Sequence, residues 1–152
     1  MIHFIKVHVS RWPTLPPGLT SLVAGAALIA AFLAGADYIA APPDKARLLS
    51  SVEAAIPLDI WGIYMVTAVC LAIYGWASDR WWVTDLGHSA LVGIYLAFGI
   101  GVFLSLADDW QWYGWRPGVN RLAMAIIHYA LARAAWLRWD VVREERNQGQ
   151  SL

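Results

Sequence analysis

Two histidines, His88 and His128, sit inside long apolar stretches of this 152-residue chain. Imidazole changes charge near neutral pH and is also a common ligand of metals and haem iron. Two such groups in apolar surroundings suggest either haem ligation between helices or a polar track that handles protons. Arg121 favours the track: at helical spacing, Arg121, Ala125, His128 and Ala132 share one face. Ionisable groups inside a membrane usually face a partner or a wet cavity. The plainer alternative is a neutral His128 hydrogen-bonded within a packed interior.

Haem is disfavoured by depth. His88 falls near the start of its apolar stretch, and His128 about ten residues before Arg138 at the same surface. At 1.5 Å rise per residue, the two are offset by on the order of 10 Å. His88 is then expected at a helix end, reaching headgroups or a backbone carbonyl. No cofactor and no metal is expected. Cys70 is the lone cysteine, so it makes no intrachain disulfide and reads as a small core residue.

The acids Asp37, Asp59, Asp108 and Asp109 gather towards one level of the chain, where carboxylates could act on lipid headgroups. No nucleophile or metal-ligand motif accompanies them, so an enzyme is not expected. Asp59 instead suits a helix N-terminus and Asp108-Asp109 a solvated helix end.

The elements that position these residues are four apolar runs, roughly 18–41, 57–77, 86–107 and 117–139. A hydrocarbon core of about 30 Å needs roughly 20 apolar residues per helix, and each run approaches that length. The chain is 59% hydrophobic, and its mean hydropathy of +0.50 is well above that of soluble domains. Lys+Arg and Asp+Glu are 11 each, which removes the electrostatic case for a nucleic-acid partner. The expected fold class is all-α: a four-transmembrane-helix bundle with a short interfacial amphipathic helix between helices 1 and 2.

Three parts are expected: an interfacial N-terminal arm over 1–17, a membrane domain over 18–139 and a polar tail over 140–152. The arm reads as lying on the membrane surface, with a cleaved signal segment as the alternative. Pro42-Pro43 end the first helix. Asp44 then caps the interfacial helix, whose apolar face is Leu49, Val52 and Ile56. Residues 78–85 read as a polar turn, with Thr84 or Asp85 capping the third helix. Trp12, Trp61, Trp76, Trp81, Trp82, Trp110, Trp112 and Trp115 are expected at headgroup level, where tryptophan is enriched.

Small residues mark two packing helices. Ser89, Gly93, Ala97, Gly101 and Ser105 recur every fourth position in the third, and Ala27, Ala31 and Gly35 in the first. Such stripes let helices approach closely in lipid, within a monomer or between protomers. Seven Lys and Arg on the side holding both termini, against four on the other, place both termini in the cytoplasm.

The stretch EAAIPLDIWGIY, a short Arg-Trp turn and LGHSALVGIYLAFGIG, together roughly 54–101, resemble small multi-span membrane proteins of actinobacterial phages. Many of these lie near lysis genes and are treated as holins. The resemblance implies a self-associating protein that permeabilises the host inner membrane, and it maps no functional residue onto this chain. The expected partners are the lipid bilayer and further copies in a homo-oligomer. The alternative is a non-enzymatic accessory protein, for superinfection exclusion or regulation, that binds another membrane protein. A small transporter or lipid-acting enzyme is a third class.

Overall fold

A computed structural model describes residues 17–42, 50, 52–108 and 115–149. The described chain is helical: α1 (Pro17–Ala40), a single 3-10 turn η1 (Glu53–Ala55), α2 (Leu58–Ala77), α3 (Trp81–Asp108) and α4 (Arg116–Gly149). Three helices, α1, α2 and α3, are long and apolar enough to cross a membrane, which fits an integral membrane protein. The chain's arginines concentrate in α4, and its apolar character is correspondingly lower.

Local chemistry explains the boundaries. Pro17 opens α1, where its missing N–H costs nothing. Asp59 lies in the first turn of α2, at the positive end of the helix dipole. At the other end of α2 the chain reverses in three residues. Asp79 takes a left-handed φ of 53°. The Arg80 N–H bonds the Gly75 carbonyl at 2.8 Å, and the Asp79 N–H reaches that of Trp76 at 3.4 Å. These paired bonds form a Schellman cap, which satisfies the last carbonyls of α2 and releases the chain straight into α3.

That cap moves one boundary. The turn ends at Arg80, and α3 begins at Trp81, five residues before the apolar run expected from 86. Thr84 and Asp85 are therefore inside α3 rather than capping it. The expected polar tail likewise continues α4 as helix to Gly149.

Each helix packs mainly on the next in sequence, with α3 against α4 the most extensive pair and α1 only lightly touching α4. Small residues allow the closest approach. A Cβ on Gly62 would lie 2.5 Å from the Gly35 carbonyl oxygen, so α1 and α2 cross with nothing between their backbones. A Cβ on Gly87 would meet the Ala72 nitrogen at 2.5 Å, with the same consequence for α2 and α3. Ala27 and Ala31 are buried along the same side of α1 as Gly35. The core centres on Met65, Val69, Leu91 and Phe98.

Several expectations need correction. The connection between α1 and α2 does not show an amphipathic helix among its described residues. It shows one 3-10 turn, with Val52 packed against the core and Gly101 rather than floating at an interface. Asp44 and Leu49 lie outside the described residues. Cys70 is exposed, not a core residue. Trp61, in the first turn of α2, is half-buried against Phe98, with ring centroids 4.8 Å apart. Trp76, Trp82 and Trp115 are exposed. Trp81 is half-buried beneath Arg138, whose guanidinium lies 4.9 Å from its ring. Trp12, Trp110, Trp112 and Asp109 lie outside the described residues.

Candidate functional site

Among the described residues, buried polar side chains gather in two clusters. The first closes the end of the bundle where α1 stops and α4 starts. It is built on Ser50 and Glu53, spaced as a capping box, Ser-x-x-Glu. The Ser50 N–H donates to Glu53 Oε2 at 3.1 Å, and the Ser50 hydroxyl donates to the same oxygen at 2.8 Å. The Glu53 N–H returns a longer bond of 3.4 Å to Ser50 Oγ. This local loop turns the Glu53 carboxylate inward, where the residue is 1% exposed.

Two helices then meet its other oxygen. The Tyr38 hydroxyl, from the last turns of α1, donates to Glu53 Oε1. Arg121, in the second turn of α4, makes an ion pair with the same oxygen at 2.7 Å. A second guanidinium nitrogen of Arg121 donates to the Tyr38 oxygen at 3.1 Å. The guanidinium also lies 4.9 Å from the Phe98 ring of α3, a cation–π contact. Burial pushes the Glu53 carboxyl up. The hydrogen bonds from Tyr38 and Ser50 and the Arg121 charge outweigh it and hold the group below its ordinary value of 4.5. Each oxygen of the carboxylate has two donors, so a buried charge is compensated. Tyr38, Glu53 and Arg121 thus tie together two segments, α1 and α4, that otherwise scarcely meet.

The second cluster lies further along α4. His88 and His128 face each other with Nδ1 atoms 3.0 Å apart. They are 2% and 0% exposed. Which ring donates depends on the tautomer, and each ring can take either role. The Tyr95 ring stacks on His128 at 5.6 Å with an interplanar angle of 9°. His128 Nε2 is buried with no hydrogen-bond partner among the described residues.

This pairing overturns the expected depth offset, and with it the reason given against shared chemistry of the two rings. Because α3 starts at Trp81, His88 lies seven residues into the helix instead of two. The extra five residues move it about 7.5 Å along the axis, level with His128. His88 is therefore an interior residue, not a helix-end side chain. A proton on the pair would sit between two nitrogens already at hydrogen-bond distance. Among the described residues no group of three or more His, Cys, Asp or Glu could hold a metal ion.

Comparison of the chain with protein-family models, with curated proteins and with solved structures found no match.

The remaining candidate residues fall as follows. Arg121, Ala125, His128 and Ala132 share the inward face of α4, Arg121 half-buried and the other three buried. The partners of Arg121 are Tyr38, Glu53 and Phe98, whereas those of His128 are His88 and Tyr95. Tyr95 and Phe98, one turn apart on α3, each face one of the two clusters: Tyr95 stacks on His128 and Phe98 lies under Arg121. The α3 stripe divides. A Cβ on Gly101 would meet Val52 at 2.8 Å, so that end packs under η1, whereas a Cβ on Gly93 would meet nothing within 4 Å among the described residues. Ser89 is exposed and bonds Asp85, Ala97 is half-buried, and the Ser105 hydroxyl bonds the Gly101 carbonyl at 3.0 Å. Asp37 and Asp59 are exposed and join neither cluster.

Sequence reasoning missed Tyr38, Ser50 and Glu53. A signal for two of them was available: Ser50 and Glu53 have capping-box spacing, and Glu53 is the only glutamate before Glu144. Nothing in the sequence pointed to Tyr38.

Proposed function

We propose that this chain is a four-span protein of a bacterial inner membrane, with both termini cytoplasmic, that self-associates and permeabilises the membrane in the manner of a holin. The observation that carries the reading is the distribution of polarity. Arg121, Glu53, His88 and His128 are held inside, under an outer surface of exposed apolar side chains such as Leu22, Ile63, Leu104 and Ile126. A monomer of this kind presents a mostly apolar outer surface and is compatible with intact bilayer. The groups needed to line an aqueous lesion are stored in its interior. Permeabilisation would then need the Tyr38–Glu53–Arg121 latch to open once copies have gathered, which accounts for a harmless monomer and an abrupt event. The fourth span is α4, with Arg121 paired inside and Arg133 long enough to snorkel towards the surface.

Expression in bacteria with a membrane-potential dye tests this reading. Delayed, abrupt depolarisation is expected. Undisturbed potential at high expression refutes it.

The second reading is a non-enzymatic accessory protein that binds another membrane protein. The open surface around Ser89 and Gly93 favours it, because close helix approach is possible there and none of the described helices occupies it. Undisturbed potential together with co-purification of one stoichiometric membrane partner would support that reading.

A further inference from the structure

At the end of the bundle opposite the latch, the turn over 78–80 and the last helical turns of α4 enclose a groove of about 520 Å³. Arg80 lines it from the turn, Arg143 and Arg146 from α4, and Trp81 and Trp139 form its aromatic walls. Asp79 is the one acid in the lining, so three guanidiniums stand against a single carboxylate. None of the three arginines makes an ion pair among the described residues. The usual fate of such a cluster is a solvated face, but these side chains are constrained. Arg143 lies 5.3 Å from the Trp139 ring and Arg80 5.9 Å from that of Tyr74.

Two further facts bear on what fits. The groove abuts the first turn of α3, which starts at Trp81, so the positive end of that helix dipole adds to the arginines. The turn also joins two helices that are each long and apolar enough to cross the membrane, Leu58–Ala77 and Trp81–Ala107. A three-residue connection between two such spans lies at headgroup level. Planar guanidiniums match phosphate oxygens in paired hydrogen bonds, and tryptophan suits the same depth.

We propose that this groove binds the phosphate of an anionic lipid headgroup. The lipid's acyl chains would run along the apolar faces of α2 and α3 while the arginines hold its phosphate. The site needs the spans on either side of the turn and the end of α4, and does not depend on permeabilisation.

The test uses the full chain reconstituted in bilayers with spin-labelled phosphatidylglycerol or phosphatidylcholine, reading the fraction of motionally restricted label. The wild type is expected to retain phosphatidylglycerol preferentially. Arg80→Gln, Arg143→Gln and Arg146→Gln should each weaken that preference by up to about five-fold, as expected for one basic residue at an anionic surface. Arg143→Gln with Arg146→Gln should abolish it. Arg133→Gln, an exposed position outside the groove, should leave it unchanged. Equal retention of both lipids by the wild type overturns the proposal, as does a preference that survives the double substitution. Binding of inorganic phosphate to the protein in phosphatidylcholine bilayers, lost in the double variant, with no preference for phosphatidylglycerol overturns it in favour of a free-phosphate site. The readout involves no depolarisation, so failure of the holin reading and failure of this site are separable.

Discussion

Replacing Glu53 by glutamine keeps the shape of the side chain and removes the charge that Arg121 faces at 2.7 Å. Breaking one partner out of a buried ion pair typically costs about 3–5 kcal/mol. Arg121 is 23% exposed at its side chain, so part of its charge can be rehydrated, and about 2–3 kcal/mol is expected instead. That corresponds to a shift of roughly 30- to 150-fold in the unfolding equilibrium. The assay is reversible unfolding of the purified protein in mixed micelles, followed by circular dichroism as denaturing detergent is added. The double variant Glu53→Gln, Arg121→Met should recover much of the loss, because methionine fills similar space over Phe98 and leaves no unpaired charge.

The pH dependence has a definite sign. The folded-state pKa of Glu53 lies below its ordinary 4.5, so folding favours the carboxylate. Its contribution is complete above the unfolded value and is lost as pH falls through the lower folded value. Wild type and Glu53→Gln should therefore differ by a constant amount above about pH 4.5 and converge below it. A Glu53→Gln variant within about 0.5 kcal/mol of wild type at pH 7, a margin usual for surface changes, would refute the latch.

Other expectations follow from the same geometry. His128→Leu leaves His88 buried without its partner and should destabilise the bundle by about 1–3 kcal/mol, whereas His88→Leu with His128→Leu should cost less; unfolding of the three variants compares them. Gly62→Ala puts a methyl group 2.5 Å from the Gly35 carbonyl oxygen and should destabilise by about 1–3 kcal/mol. Gly93→Ala, with open space, should change stability little or raise it slightly, and equal effects from the two would contradict the described packing. Cys70 is exposed midway along α2, so in intact membranes it should resist a water-soluble maleimide and react with a membrane-permeant one. Rapid labelling by the water-soluble reagent would place α2 outside the hydrocarbon.

The helical class and three spans were legible because they depend on properties of single segments. Run length, mean hydropathy and proline positions act locally, and an apolar run of this length has few alternatives in lipid. The inward face of α4 was legible too, since Arg121, Ala125 and His128 follow helical spacing. The α1 stripe of Ala27, Ala31 and Gly35 is buried for the same reason of periodicity.

What escaped was the relation between segments. Polar residues 81–85 sat outside the apolar run, so α3 was expected to start too late, and that shift of one and a half turns separated two histidines that in fact touch. The Schellman cap at Asp79 decides the start, and its hydrogen bonds depend on backbone geometry rather than composition. Glu53 was overlooked among apolar neighbours because its importance lies in Tyr38 and Arg121, distant in sequence. Hydropathy and periodicity thus determine which faces turn inward. Only the packed structure decides which inward residues meet, because register along the helix axis is set by turns and by close glycine contacts between helices.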